Sequence, residues 1–381
     1  MTARIYLDYN ATTPLADEVA AEMSRVLSQP YGNPSSLHWA GVLARDAIET
    51  ARSQVAALLS CDATEVVFTS GGTEANNQVI KGLFFRRRAA DCRPFHIVTS
   101  CIEHPAVLEP CSFLEQLGAE VTRLPVDRHG LVDPEDVRRA IRPGTALVSI
   151  MHANNEVGTI QPLMEIASLA HEHGALVHTD AAQSVGKIAV DVEAMGVDFL
   201  SVAGHKLYGP KGVGALYIRE GLALEPLLHG AGHEAGRRAG TENVLEIVGL
   251  GAACELAHAW IDERSIPELR DHLWLSLEAS LGDQVVLHGH PTLRLPNTLN
   301  VGFRGMTGGE ILAAIPNVAA STGSACHEGS IHISPVLASM GVARDSALGT
   351  VRFSLGRDTT HDEIDCVVEL ILHATKRSAA T

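Results

Sequence analysis

The chain has 381 residues, 46% hydrophobic and 19% charged, enough to build a sizeable core and to exclude disorder as its main state. A formal net charge of −16 argues against a wide grip on a phosphate backbone, so direct nucleic-acid binding is not expected. The N-terminus MTARIYLDYN has no signal-type apolar run, and no apolar stretch reaches bilayer length, so a cytoplasmic protein without membrane contact is expected.

The first strand-like segment is residues 4–8. From there the chain alternates short β-branched runs with helical patterns. Strands are predicted at Val66–Ser70, His96–Ser100, Ala146–His152, Ala175–Asp180, Val197–Ala203 and Val213–Arg219. Helices are expected from about Glu74, from near Pro105, and from Pro162 to Gly174. The strands are apolar on both faces, as strands covered by helices on both sides must be. Such alternation predicts an α/β fold with a mostly parallel, doubly wound sheet. After about residue 255 the period changes. A long helical stretch, Leu250–Leu281, is interrupted by Pro267, and strand-like pieces follow at 284–288, 298–303, 321–324 and 350–354. Residues 364–375 read as a last helix. We divide the chain into a large domain, residues 15–255, and a smaller α+β domain, residues 1–14 and 256–381. No Pro/Gly/Ser linker separates them, so a shared interface with the active site between them is expected.

Seven cysteines without a CxxC pair suggest free thiols. The basic run Arg86–Arg88 reads as a solvated helix end. His171, His173, His288 and His290 lack a third ligand at recognisable spacing, so no metal is expected.

In an open α/β sheet, ligands bind at the C-terminal edge of the strands. Four predicted strands end there in polar groups: Gly71-Gly72-Thr73, Glu103-His104, Asn154-Asn155-Glu156, and Asp180 with Gln183. Each alone is also a turn or a helix cap. Together they suit an aromatic phosphate cofactor. The Gly71-Gly72-Thr73 turn can hold a phosphate at a helix N-terminus. His104 can lie on a heteroaromatic ring, and Asp180 can pair with a protonated pyridine nitrogen. Asn155 and Gln183 can reach a ring hydroxyl. Lys206, in Gly204-His205-Lys206, has apolar sequence on both sides. Spacing alone leaves it either an imine-forming amine or an exposed turn lysine. Cys326 sits among small residues in STGSACHEGS, where His327 can favour its thiolate. Arg352, a lone guanidinium in TVRFS, needs a buried anion, and a substrate carboxylate would serve.

Longer motifs run nearly end to end: YLDYNATTP at 6–14, GNPSS at 32–36, FTSGGTEANN at 68–77, EHPAVL at 103–108, MHANNEVG at 151–158, HTDAAQSVGK at 178–187, GHKLYGPKG at 204–212, HGAGHEAGRRAGTEN at 229–243, STGSACHEG at 321–329 and RFSLGR at 352–357. In these the sequence resembles cysteine desulfurases of the NifS/IscS type, in the class V aminotransferase group of fold-type I pyridoxal-phosphate enzymes. The resemblance implies pyridoxal 5′-phosphate as cofactor, with Lys206 as the lysine that joins it. It implies contacts to the cofactor from Gly72, Thr73, His104, Asn155, Asp180, Gln183 and His205. Thr241 would reach the phosphate from the partner subunit of a homodimer. Arg352 and Asn155 would hold the carboxylate of L-cysteine, and His104 would manage its thiol proton. Cys326 would take the sulfur as a persulfide, leaving L-alanine, and pass it to a sulfur-acceptor protein such as an iron–sulfur scaffold. Selenocysteine lyase and a class V aminotransferase are the alternatives. One departure stands out. The family commonly has a serine contacting the phosphate where this chain has Ala203; backbone N–H groups or Ser201 are candidates to compensate.

Overall fold

Segments that are apolar on both faces assemble into one central sheet. The computed structural model describes residues 4–29, 31–90, 94–261, 265–327 and 330–378. In chain order, β1 (Ile5–Tyr6) precedes helices α1 (Asp17–Val26) and α2 (Trp39–Leu59). The alternating region follows: β2 (Val66–Thr69), α3 (Gly72–Ala90), β3 (His96–Ser100), α4 (Pro105–Glu115), β4 (Glu120–Leu124), α5 (Pro134–Ala140), β5 (Thr145–Ser149), α6 (Leu163–Glu172), β6 (Leu176–Asp180), α7 (Val192–Met195), β7 (Phe199–Ala203) and β8 (Gly214–Ile218). Next come α8 (Val244–Trp260), α9 (Ser265–Leu281), β9 (Val285–His288), β10 (Thr298–Phe303), α10 (Gly308–Ala314) and β11 (Val318–Ala319). The chain closes with β12 (Ser321–Thr322), β13 (Ser324–His327), β14 (Ser330–Ile333), α11 (Pro335–Ser339), α12 (Arg344–Leu348), β15 (Thr350–Ser354) and α13 (His361–Ser378).

The seven-stranded sheet has the order β2-β8-β7-β6-β5-β3-β4. Strands β3 to β7 run parallel, and β8 is antiparallel to both of its neighbours. Every residue of β2, β3, β5, β7 and β8 is buried, which explains their continuous apolar sequence. Edge strand β4 was not expected from the sequence. Its residues EVTRL are mostly solvated, and Glu120 and Arg123 mark a charged edge that blocks further pairing.

The predicted helical stretch Leu250–Leu281 is broken, as expected, into α8 and α9 just before Pro267. That residue lies in the first turn of α9, where an amide N–H has no intrahelical acceptor and proline costs nothing. The predicted strand 321–324 is also split, at Gly323. A Cβ there would lie 2.7 Å from the Thr350 Cβ, so only glycine permits the approach.

A second, four-stranded antiparallel sheet has the order β12-β15-β10-β9. Its core joins Phe303, Val351 and Phe353 to Leu273 and Leu277 of α9 and Ile364 and Ile371 of α13. The N-terminal segment belongs with it: β1 pairs with β11, Asp8 bridges to Ser354, and Ile5 and Leu7 lie in that same core. Residues 8–16 then cross to the large sheet's edge. Among the described residues no single helix is long and apolar enough to cross a membrane.

Candidate active site

The C-terminal ends of β6 and β7, the start of α3 and the N-terminal segment enclose a cavity of about 370 Å³, within the range of small-molecule sites. Its walls carry Gly72, Thr73, His104, Asn155, Asp180, Gln183, His205, Lys206 and Arg352, nine residues singled out from sequence. Asn10, Ala11, Asn76 and Ala203 also line it.

Lys206 ends a short 3-10 turn, Gly204–Lys206, directly after β7. Thr13 straps this turn, its N–H and Oγ1 both donating to the His205 carbonyl. The Lys206 Nζ donates to the carbonyls of Asn10 and Ala11, each at 2.7 Å. Burial, then the Arg352 charge, push its amine down to about 8, against the pull of Asp180 and Asp8. At pH 7 the neutral, nucleophilic fraction therefore rises from well under 0.1% to roughly a tenth. The structure thus settles its ambiguous sequence context: it is a cavity lysine, not an exposed turn residue.

Asp180 closes β6. Its Oδ2 accepts from Asn76 Nδ2 at 2.6 Å, and its Oδ1 accepts from the Ala182 N–H at 3.0 Å. His104 is the N-cap of α4. Its Nδ1 accepts from the Ala106 N–H at 3.1 Å, so the neutral ring carries its proton on Nε2. Burial pushes its pKa down, opposed by Asp180 and assisted by Lys206. His205 is likewise held neutral, at about 4, by burial and by Lys206 and Lys211. Its Nδ1 meets Thr12 Oγ1 at 3.1 Å.

These residues fit pyridoxal 5′-phosphate. The Asp180 carboxylate is anchored on the cavity wall, available to a ring nitrogen, and the depressed amine of Lys206 lines the same space. At the opposite end a Cβ on Gly72 would meet only the Ala203 Cβ, at 3.3 Å, so the first turn of α3 leaves room for a phosphate near its N–H groups. Ser201 does not stand in for the missing serine. It is fully buried, bonds to His178 Nε2 at 3.1 Å, and lies outside the cavity lining.

Arg352 differs from its sequence reading, because it already has an anion. Its NH2 donates to Asp8 Oδ1 at 2.7 Å and to Ser321 Oγ at 2.9 Å, and its NH1 donates to the Asn155 carbonyl at 2.9 Å. The Nε is buried without a partner. Asp8 was missed because an acidic residue near the N-terminus carries no signal until β1 is placed beside β15. Thr241 is outside the cavity, in a groove with Phe68, Ser70 and Arg238. Cys326 lies on hairpin β13–β14, opposite Ile331; its side chain and that of His327 are outside the described residues. The hairpin is rooted where Ser334 N–H donates to the Gly323 carbonyl, one strand from Arg352, which pairs with Ser321.

The histidines considered for metal have other partners. His171 pairs with Asp198 at 2.8 Å, His173 with the Leu169 carbonyl, and His288 lies between Asn300 and Ser346. His290 accepts from the Thr292 and Leu293 amides.

The sheet and this cavity define a pyridoxal-phosphate enzyme of the aminotransferase type, and residues 5–367 match the class-V aminotransferase family. The cysteine desulfurase IscS of Dictyoglomus turgidum is 48% identical over 375 residues, covering 97% of this chain and 94% of the relative. A solved NifS-like protein superposes with a TM-score of 0.91 at 37% identity, covering 98% of this chain and all of the other. A structure described as SspA in complex with cysteine is 39% identical, with a TM-score of 0.81 and coverage of 92% and 98%. The chain belongs to the cysteine desulfurases of the NifS/IscS type within the class-V aminotransferase family.

Proposed function

We infer that the protein removes sulfur from L-cysteine, giving L-alanine and a persulfide on Cys326 for transfer to a sulfur-acceptor protein. The observation that carries this is one cavity shared by Lys206, Asp180, His104 and Arg352, with the Cys326 hairpin rooted beside Arg352.

Pyridoxal 5′-phosphate, when bound, supplies an electron sink at the substrate Cα. Gly72, Thr73 and His205 hold its phosphate, Asp180 its ring nitrogen, and Asn155 and Gln183 its ring oxygen. Arg352, on the cavity wall and also held by Asp8, orients the substrate carboxylate. Lys206, neutral in a useful fraction near pH 7, takes the Cα proton. His104 covers the ring and offers Nε2–H to the substrate sulfur. The Cys326 thiolate attacks that sulfur; the new S–S bond forms as the Cβ–S bond breaks. The released electron pair stays on carbon and is protonated, giving the methyl group, and Lys206 returns a proton to Cα to complete alanine. A glycine-flanked hairpin suits a thiol that must reach the substrate and then an acceptor.

We read residues 15–255 as the cofactor-binding domain and 1–14 with 256–381 as the smaller one; the core around Phe303 and Phe353 lies wholly within the smaller one, while another cluster packs Ile102, Met151 and Val157 against Val336 and Leu337 across the division. The active form is a homodimer in which Thr241 completes the partner's phosphate site. Exposed Tyr31, Leu37 and Trp39, at 72%, 90% and 66%, supply apolar surface for a second copy. Free thiols at Cys61, Cys101, Cys111, Cys254 and Cys366 suit the cytoplasm.

The test is mass spectrometry after incubation with L-cysteine. The peptide carrying Cys326 gains one sulfur in the wild type and none in Cys326→Ala, which keeps the visible absorbance of the cofactor. Undiminished sulfide release by Cys326→Ala overturns the role.

A further inference from the structure

Lys187 closes the motif HTDAAQSVGK, yet the mechanism above gives it no task. It sits behind the cofactor cavity and lines a separate apolar one with Tyr9, Leu207, Trp260 and Leu355. Its Nζ makes two hydrogen bonds, both to neutral amide oxygens: Gln183 Oε1 at 2.7 Å and Asn10 Oδ1 at 2.9 Å. The amine donates in both bonds: the ammonium form has no lone pair to accept with, and the neutral form still has two N–H groups, enough for both. That helps set which way the Gln183 amide faces, while the Asn10 oxygen also accepts from Asn297 Nδ2 at 3.0 Å. The Gln183 Nε2 points away from Lys187 and donates to the Asn10 carbonyl at 3.0 Å, the same carbonyl that receives Lys206 Nζ. The Asn10 Nδ2 in turn donates to Thr298 Oγ1 at 2.8 Å and to the Asn155 carbonyl at 3.2 Å, which Arg352 also holds.

We propose that Lys187 is a positioning residue. From outside the cavity it holds the oxygen end of the Gln183 amide, the Asn10 carbonyl holding the nitrogen end, so that Gln183 presents an N–H and not its carbonyl to the ring oxygen of the cofactor. The proposal rests on the reading of the cavity as the pyridoxal-phosphate site. Its physical content is a flip. Without Lys187 the Gln183 oxygen loses its donor, leaving only the Nε2 bond to the Asn10 carbonyl to hold the amide plane, and a carbonyl turned to an anionic ring oxygen is repulsive. Burial, reinforced by the Lys206 and Arg352 charges, also holds the Lys187 amine well below the ordinary lysine range. Two N–H donors are enough for this task even when the amine is neutral.

An N–H donated to the ring oxygen stabilises its deprotonated form. Losing it makes the bound cofactor keep its proton to higher pH. The experiment is a pH titration of the visible absorbance of the holoenzyme, with cofactor loss on ultrafiltration as a second readout. Four proteins are compared with the wild type: Lys187→Met, Lys187→Gln, Gln183→Ala, and Gln183→Ala combined with Lys187→Met. The charged groups around Lys206, namely Arg352, Asp180, Asp8 and His104, are unaltered in all of them. Lys187→Met is expected to raise the midpoint by about one pH unit, a tenfold change in proton affinity, and to speed cofactor loss. Lys187→Gln keeps an N–H donor and titrates as the wild type, which carries the test should the methionine variant not fold. In the Gln183→Ala background, Lys187→Met adds no further shift. The proposal is overturned if Lys187→Met titrates like the wild type, if Lys187→Gln shifts, or if the full shift persists without Gln183. A wild-type protein that shows no visible band from a cofactor on Lys206 sinks the reading of the cavity itself.

Discussion

Ala203 ends β7 with its methyl group facing the first turn of α3, on the wall of the cofactor cavity. A serine hydroxyl at that Cβ would share the cavity wall with Gly72, Thr73 and His205, the residues proposed for the phosphate end. On the proposed reading, the phosphate in this chain would be held by backbone N–H groups, the Thr73 hydroxyl and a neutral His205. Thr12 Oγ1 fixes that imidazole; when its hydroxyl donates to Nδ1, the ring proton sits on Nε2, ready for a phosphate oxygen. Restoring the hydroxyl adds one hydrogen bond to an anion, worth about 1.5–3 kcal/mol at full strength. We expect Ala203→Ser to lose pyridoxal 5′-phosphate more slowly, by about tenfold or more. Ultrafiltration at a series of times, with residual cofactor read by absorbance, measures this. Equal rates in the two proteins would show that the backbone already satisfies the phosphate.

The junction between β3 and α4 carries a second kind of strain. Glu103 is fully buried there, accepting on one oxygen from Ser100 Oγ at 2.6 Å and the Met151 N–H at 2.9 Å, while Oε2 has no partner. Burial pushes its carboxyl up to about 8, and Asp180 adds to this against the two hydrogen bonds. The native state therefore holds a proton that the unfolded chain releases near 4.5. The associated stability is full below pH 4.5 and is lost as pH rises towards 8, at roughly 1.4 kcal/mol per unit. Glu103→Gln keeps the accepting oxygen and removes the titration. Thermal unfolding is expected to show equal stability at pH 5 and a growing advantage of the variant at pH 6.5 and 8; a constant difference across that range refutes the buried proton. This junction also shows how far sequence patterns reach. The strand ends that carry Asp180, His104 and Lys206 were legible because both-face apolar runs stop abruptly at polar groups. Asn10 and Asp8 were not, because their roles depend on residues 8–16 crossing from the second sheet to the first. Edge strand β4 was hidden by its charge.

At the scale of the whole molecule, the loop that carries Thr241 is held firmly yet lies outside its own cavity. Glu234 is buried and takes both ends of the Arg52 guanidinium, at 2.8 and 2.9 Å, together with the Phe68 N–H at 3.0 Å. Arg238 pairs with Glu74 in the first turn of α3 at 2.9 Å. Two successive residues, Glu234 and Ala235, are in the left-handed region at φ 49° and 55°, a conformation that costs of order 1–3 kcal/mol each and persists only where surroundings enforce it. A loop so fixed, with a hydroxyl outside its own site, makes sense if the hydroxyl serves a second copy of the chain. Mixed dimers separate the two possibilities. Lys206→Ala removes the covalent anchor, and Thr241→Ala weakens the phosphate grip. If Thr241 acts across the interface, a dimer of one Lys206→Ala chain and one Thr241→Ala chain contains one doubly damaged site and one intact site. Half of the sites in purified mixed dimers then retain pyridoxal 5′-phosphate as tightly as the wild type. If Thr241 serves its own chain, every site in the mixed dimer carries one lesion and no tight fraction appears. Differently tagged chains, co-expressed and purified through both tags, allow that fraction to be counted from the biphasic loss of absorbance.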